Sequence, residues 1–94
     1  MRIINNPNFS QELKDILKYI ANDKPTASRK FTKELKENIK NIPNNPYMYP
    51  PSQYFNDKDV RDMTYKKYTI VYQVMLEKNT IEIMKIFNRN KPSA

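Results

Sequence analysis

Residues 60–74 read VRDMTYKKYTIVYQV and carry the strongest β-strand signal of the chain. Five apolar or aromatic residues recur with a period of two within and just beyond this stretch: Tyr68, Ile70, Tyr72, Val74 and Leu76. This period places them on one face of a strand that spans Tyr68 to Leu76. Val71 and Met75 make the opposite face partly apolar, so the pattern predicts a sheet that needs cover on both sides.

Three shorter segments complete the predicted sheet. Segments at about Lys58 to Met63 and Thr80 to Phe87 flank the strongest strand in sequence, and Glu77 to Asn79 forms the second connection. Arg2 to Ile4 is a short apolar start before a proline break, which predicts an edge strand at the N-terminus. The sheet should therefore contain three or four strands and be mainly antiparallel.

Between the predicted N-terminal strand and the three later strands, apolar residues recur at helical spacing in two segments, each forming a stripe along one side of a helix. The first stripe consists of Phe9, Leu13, Ile16, Leu17 and Ile20. The second stripe consists of Ala27, Phe31, Leu35, Ile39 and Ile42. We expect the first helix to be capped by Asn8 or Ser10 and to end before Pro25. We expect the second to be capped by Thr26 and to be ended by Pro43. The short connection predicts an antiparallel helical hairpin.

Asn44 to Phe55 contains three prolines and four aromatic residues and fits neither a regular helix nor a central strand. We expect a crossover loop that is held down by its aromatic side chains. Together the elements predict one α+β domain over residues 1–94, in which the helical hairpin packs on the sheet in the order β-α-α-β-β-β. The hairpin can cover only one face, so we expect the second face to be an interaction surface.

The chain has no cysteine, no histidine and no glycine, which excludes several kinds of site. Cysteine or histidine metal centres, thiol nucleophiles and Ser-His-Asp triads need residues that are missing. Phosphate-binding loops need glycine where the backbone approaches the phosphates. We therefore predict no metal and no cofactor. No apolar run reaches the length of about 20 residues that a membrane span needs, and no signal pattern opens the chain, so we expect a cytoplasmic protein without membrane contacts.

The charge balance is strongly basic, with 17 Lys and Arg residues against 10 acidic ones and a formal charge of +7. Such a surface attracts an acidic protein or a nucleic acid. Lys66 and Lys67 are either turn residues before the central strand or contacts to a partner. Arg61 is either an ion-pair partner of neighbouring aspartates or a binding residue. Arg89 and Lys91 belong to a C-terminal segment without negative charge, and we expect them to bind a partner.

Several motifs occur together in a fixed order along the chain. They are Asp-Ile-x-x-Tyr-Ile-Ala at 15–21, Pro-x-Ala-x-x-x-Phe at 25–31, Val-Arg-Asp at 60–62, Tyr-x-Ile-Val-Tyr-Gln-Val at 68–74, and Ile-x-x-Ile at 83–86 before a basic tail. In these motifs the chain resembles the RelE/ParE superfamily of bacterial toxins over nearly its whole length. The resemblance implies a growth-inhibiting toxin of a type II toxin-antitoxin pair. It also implies a cognate antitoxin whose disordered segment would fold onto the uncovered sheet face.

The superfamily contains two activities. RelE-like members cut messenger RNA inside the ribosome with clustered Lys and Arg residues and a late Tyr or His, whereas ParE-like members poison DNA gyrase without hydrolysing anything. Arg89 matches one family arginine, but Thr64 and Thr69 stand where the resemblance would place two others. The sequence stops at Ala94, before the position of a late catalytic tyrosine, and residues 86–92 resemble ParE-like tails. The resemblance therefore favours the gyrase poison.

A ParE-like toxin would have a binding site and no catalytic residue. The residues that we expect to bind the target are Arg61, Lys66, Lys67, Phe87, Asn88, Arg89 and Lys91. The partners would then be the antitoxin and DNA gyrase. In the alternative, a ribosome-dependent messenger RNA endoribonuclease, the ribosome and its messenger RNA would replace gyrase. In that case Arg61, Lys66, Lys67 and Arg89 would hold the RNA and polarise its phosphate.

Overall fold

A computed structural model describes residues 1–89 of the chain. The strands are β1 (Arg2–Asn5), β2 (Val60–Tyr65), β3 (Tyr68–Met75) and β4 (Thr80–Asn88), the helices are α1 (Pro7–Asp23) and α2 (Pro25–Lys40), and two 3₁₀ turns span Ile42–Asn44 and Leu76–Lys78. This order confirms the predicted α+β fold with the succession β-α-α-β-β-β. Within these residues neither helix has the length and apolar character needed to cross a bilayer.

The strands form one mixed sheet in the order β1-β4-β3-β2. β1 pairs in parallel with β4, whereas the β2-β3 and β3-β4 pairs are antiparallel. The mainly antiparallel sheet is therefore confirmed, and so is the position of the N-terminal strand at an edge. β3 lies in the interior of the sheet and β2 forms the second edge.

Both helices begin at a proline, and the polar residues that were predicted to cap them do not lie at their starts. Asn6 caps α1 with its side chain, and Pro7 and Pro25 occupy the first helical positions. The fixed φ angle of proline suits a helix, and its missing N–H would have no partner in the first turn. A single extended residue, Lys24, joins the helices, as the short connection predicted. The predicted caps are wrong, because three residues lie inside the helices: Asn8, Ser10 and Thr26.

The two helices pack on one face of the sheet and form the main core. Its buried residues are Phe9, Phe31, Leu35, Ile42, Met63, Tyr68, Ile70, Tyr72, Val74, Ile81, Ile83 and Ile86. Burial of each large apolar side chain contributes about 1.5–3 kcal/mol. Leu76 departs from the prediction, because it lies in the 3₁₀ turn after β3 and is 64% exposed. Asn79 closes that turn in a left-handed conformation, φ 48°, which asparagine tolerates.

We name residues 45–59, which run from α2 to β2, the strap. The strap first packs against the helix-covered face, where Tyr72 Oη donates a hydrogen bond to the carbonyl oxygen of Pro46 at 2.6 Å. The Tyr49 ring meets the Tyr72 ring edge-on, with centroids 6.4 Å apart. Pro51 then forms a β-bridge to the outer edge of β2. The predicted loop held by its aromatic residues is confirmed, and it also protects a sheet edge.

The strap continues onto the opposite face of the sheet. There the Tyr54 ring packs edge-on against Phe87, with centroids 5.0 Å apart. Val60, Val71 and Phe87 form a second, smaller cluster and are 3%, 0% and 9% exposed. The expectation of an uncovered apolar face is therefore wrong for the centre of this face, because the strap supplies aromatic cover. Ile4 on β1, which is 39% exposed, remains at the rim of the face.

Folding stability should decline at high pH. Burial raises the pKa of the Tyr72 phenol to about 12, whereas the pKa of a tyrosine in an unfolded chain is about 10. As the pH rises, the unfolded state therefore loses this proton first. The contribution of the Tyr72 phenol to the free energy of unfolding is complete below about pH 10 and is lost between about pH 10 and 12. Urea denaturation at a series of pH values measures the free energy of unfolding. We expect it to decline less steeply with pH for Tyr72→Phe than for the unsubstituted chain.

Two further results belong to this prediction. At neutral pH, Tyr72→Phe should lower the free energy of unfolding by about 1 kcal/mol, because the Pro46 carbonyl loses its donor. The control Tyr19→Phe removes the hydroxyl of an exposed tyrosine and should leave the free energy of unfolding at neutral pH unchanged. Equal slopes for the unsubstituted chain and Tyr72→Phe would show that burial of this phenol does not control alkaline unfolding.

Candidate partner-binding site at the turn end of the sheet

The turn between β2 and β3 consists of Lys66 and Lys67. Tyr65 pairs with Tyr68 on either side of it, so the chain reverses within two residues. Lys66 has a φ angle of 53°, a left-handed conformation that tight hairpins use and that glycine usually supplies. The chain has no glycine, and a lysine in this conformation costs about 1–2 kcal/mol. Both lysines are exposed turn residues at the end of the sheet.

Arg89 lies beside this turn at the end of β4. Its backbone N–H donates to the carbonyl oxygen of Lys67 at 2.8 Å, and its Nη1 donates to the carbonyl oxygen of Lys66 at 3.2 Å. Phe87 and Asn88 precede it in β4 and lie opposite the first residues of β3. Strand pairing thus brings together five of the seven residues that the sequence predicts to bind a target.

Arg61 lies apart from this group, at the opposite end of β2 from the turn. Its Nε donates to the carbonyl oxygen of Lys58 at 2.9 Å, and its Nη1 donates to that of Tyr49 at 3.0 Å. The guanidinium carbon lies 4.8 Å from the centroid of the Tyr47 ring. These contacts hold two parts of the strap against β2. Lys91, the remaining predicted residue, lies outside the described residues.

Glu34 connects α2 to the turn. Its Oε1 accepts a hydrogen bond from Tyr65 Oη at 2.5 Å and lies 3.8 Å from Nζ of Lys66. The hydrogen bond from Tyr65 lowers the pKa of Glu34. Burial and the same hydrogen bond raise the pKa of Tyr65 to about 12. Around neutral pH the carboxylate is therefore a charged acceptor and the phenol a neutral donor, and together they fix the turn against the helix.

A cleft of about 900 Å³ separates the turn from the connection between the helices. We name it the hairpin cleft. It is lined by Tyr19, Ile20, Asn22, Asp23, Lys24, Ala27, Phe31, Lys66, Lys67 and Tyr68. Sequence reasoning missed the contributions of Tyr19 and Lys24. A signal for Tyr19 was present, because this aromatic residue lies outside the apolar stripe of α1, and it is 71% exposed.

A second cavity, of about 390 Å³, lies on the strap-covered face behind the turn. Thr64 and Thr69 line it and lie directly opposite each other, so short hydroxyl side chains occupy the positions where the family resemblance places arginines. Asp62 Oδ2 accepts a hydrogen bond from the Gln53 N–H at 3.1 Å, and within residues 1–89 its Oδ1 has no partner. Among those residues, Arg89 is the one cation that lines this cavity.

The turn end of the sheet can attract an anionic partner. Of its exposed cations, Lys66 forms an ion pair with Glu34, whereas Lys67 and Arg89 form none within the described part of the chain. In residues 1–89, no three acidic side chains lie close enough together to hold a metal ion.

Comparison with known proteins identifies similar proteins for nearly the whole chain. A family model described as the ParE toxin of a type II toxin-antitoxin system, parDE, matches residues 3–92. The fold is similar to a chain of the chromosomal ParDE toxin-antitoxin system from P. aeruginosa, with a TM-score of 0.74, 16% identity and coverage of 94% of this chain and 95% of that chain. No curated protein sequence matches.

The isolated RelE toxin of E. coli is also similar in fold. Its TM-score is 0.63 at 15% identity, and the alignment covers 97% of this chain and 86% of that chain. At such identities the structural likeness to both proteins establishes the fold alone.

Glycine at the two turn positions should change stability in opposite directions. Lys66→Gly relieves the left-handed conformation and should raise the free energy of unfolding by about 0.5–1 kcal/mol, since the exposed contact to Glu34 contributes little. Lys67 has no positive φ, so Lys67→Gly should lower the free energy of unfolding by about 0.5–1 kcal/mol. Urea denaturation followed by circular dichroism measures both effects. A destabilised Lys66→Gly would rule out strain at this turn.

Substitution of Arg61 should lower the stability of the fold much more than substitution of Arg89. Arg61→Ala removes two hydrogen bonds from a charged donor and should lower the free energy of unfolding by about 2 kcal/mol, or the melting temperature by roughly 10 °C. Arg89→Ala removes one exposed hydrogen bond and should change the free energy of unfolding by less than about 0.5 kcal/mol. Equal melting temperatures for the two variants would mean that the strap does not depend on Arg61.

Proposed function

The chain belongs to the ParE toxin family of type II toxin-antitoxin systems, and we propose that it inhibits growth by binding DNA gyrase. In this proposal the protein traps gyrase on cleaved DNA and contributes no catalytic residue and no cofactor. It acts in the cytoplasm as one domain formed by residues 1–94.

The observation that carries this proposal is the convergence of the predicted target-binding residues at the turn end of the sheet. Lys66, Lys67 and Arg89 are joined there by hydrogen bonds that involve the backbone of the turn. These hydrogen bonds hold the turn backbone in place, so binding of an acidic surface orders only the side chains that carry the charges, and the charges also speed association. Phe87 is 9% exposed, so in this proposal it supports the end of β4, while Asn88 and Arg89 meet the partner.

The two remaining predicted residues enter the proposal differently. Arg61 acts through the strap, because its guanidinium is held by the carbonyl oxygens of Lys58 and Tyr49. Lys91 follows Arg89 by two positions in sequence, and in this proposal its positive charge also meets the partner.

We further propose that a cognate antitoxin neutralises the protein. An acidic antitoxin segment would be attracted by the formal charge of +7. It would cover the part of the second sheet face that the strap leaves exposed, where Ile4 lies on the free edge of β1. This role differs from target binding, because the turn lysines lie between β2 and β3, away from β1 in the sheet.

A ribosome-dependent endoribonuclease is the alternative, because the superfamily that the sequence resembles also contains this activity. Arg61, Lys66, Lys67 and Arg89 would then hold the messenger RNA. Developing phosphate charge would need several preorganised cations. Two observations make this alternative the weaker one: Arg61 is engaged by the strap, and among residues 1–89 only one cation lines the second cavity.

Purified protein, added to gyrase, ATP and relaxed plasmid, should block supercoiling and cause linear, cleaved DNA to accumulate. The Arg89→Ala variant should produce the same amount of linear DNA only at about tenfold higher concentration, because it lacks a central cation of the turn end of the sheet. Arg29→Ala changes an exposed arginine of α2 and should act like the unsubstituted protein. The readout is the amount of linear DNA on an agarose gel.

Undisturbed supercoiling by folded protein would contradict the proposal. The same preparations would then be added to ribosomes that are translating a defined messenger RNA. Cleavage that requires Arg89 would establish the endoribonuclease alternative.

A further inference from the structure

We propose that the hairpin cleft binds an acidic segment of the target protein that carries an apolar side chain between its carboxylates. The inference rests on the proposed function and deepens it. It extends the target-binding surface from the sheet onto the helical hairpin, through Tyr19 and Lys24.

The charge at the rim of the hairpin cleft favours carboxylates. Among residues 1–89, three lysines line it, Lys24, Lys66 and Lys67, against one carboxylate, Asp23. Lys66 lies 3.8 Å from Glu34, whereas Lys24 and Lys67 form no ion pair within residues 1–89. Two ammonium groups at the rim are therefore uncompensated and available to a partner. Their attraction for carboxylates increases as the partner excludes water from the cleft.

The inner lining of the hairpin cleft favours an apolar anchor. Phe31 and Tyr68 are 3% and 5% exposed, and their rings pack edge-on at 5.3 Å, which makes the lining rigid. Ile20 and Ala27 are half-buried beside them, and Tyr19 is 71% exposed. Exposed tyrosines beside a preformed apolar surface are enriched at the energetic centres of protein interfaces.

The left-handed conformation of Lys66 also indicates that this lysine serves binding rather than stability. Asparagine and glycine adopt left-handed angles at lower cost than lysine does. The chain uses asparagine at its other left-handed position, Asn79, where φ is 48°. Lysine at position 66 therefore weakens the fold relative to asparagine, while it supplies a cation to the cleft rim.

A protein segment fits this cleft better than a nucleic acid does. A phosphate backbone satisfies the lysines but brings no apolar group to the lining beside Phe31 and Tyr68. A peptide that carries an apolar side chain between acidic residues satisfies both the rim and the lining. The occupant that we assign is such a segment of gyrase.

Binding to intact gyrase holoenzyme tests the inference. Surface plasmon resonance would compare Tyr19→Ala and Lys24→Glu with a matched control, Lys18→Glu. The control makes the same charge change on an exposed lysine of α1 that does not line the cleft. The two cleft variants should bind gyrase about tenfold more weakly, with unchanged melting temperature and unchanged capture by the antitoxin. Lys18→Glu should bind like the unsubstituted protein.

The outcomes separate this inference from the proposed function. If the unsubstituted protein does not bind gyrase, the proposed function fails and the inference fails with it. If the unsubstituted protein binds gyrase and folded cleft variants bind equally well, only the inference is overturned. Folded cleft variants that lose capture by the antitoxin would assign the cleft to the antitoxin instead. Parallel loss of binding to bare plasmid DNA would assign it to nucleic acid, which also overturns the inference.

Discussion

The central strand β3 is buried on both of its faces, and the rest of the fold is arranged around that burial. Val71 and Tyr72 are neighbours that face opposite sides of the sheet, and each is 0% exposed. The helical hairpin covers the Tyr72 side, and the strap reaches the Val71 side by passing around the edge of β2. Because the strap has no regular structure over most of its length, its path depends on fixed points such as the Tyr72 hydroxyl and the Arg61 guanidinium. Arg61 therefore contributes to the covering of β3.

The proposed binding surface follows from the same arrangement. The two-residue turn before β3 and the end of β4 meet at one end of the sheet, which brings Lys66, Lys67 and Arg89 together. Glu34 then fixes this end against α2 through Tyr65. Because the backbone that carries these cations is already held in place, binding orders mainly their side chains, and their charge attracts an acidic partner. The hairpin cleft adds an apolar lining beside that charge, which combines attraction with specificity.

The sequence predicts the regular parts of this structure well because local periodicity determines them. The period of two in β3 and the stripes of both helices match the buried faces. The path of the strap was not predictable, because it depends on contacts between distant residues, such as Tyr54 with Phe87. The left-handed lysine at position 66 was missed because turn rules assign that conformation to glycine or asparagine. The hairpin cleft was missed because it arises only when the helix connection and the β2-β3 turn meet in space.

Hydrogen exchange of the protein, measured free and bound to gyrase, tests the central claim most directly, because it locates the bound surface without any substitution. The account predicts slower exchange in the complex for residues 64–69 and 87–89 and for the helix connection around residues 19–27. It predicts unchanged exchange in the strap. Protection that is confined to the strap or to β1, with the turn exchanging at its free rate, would contradict the assignment of the partner site to the turn end of the sheet.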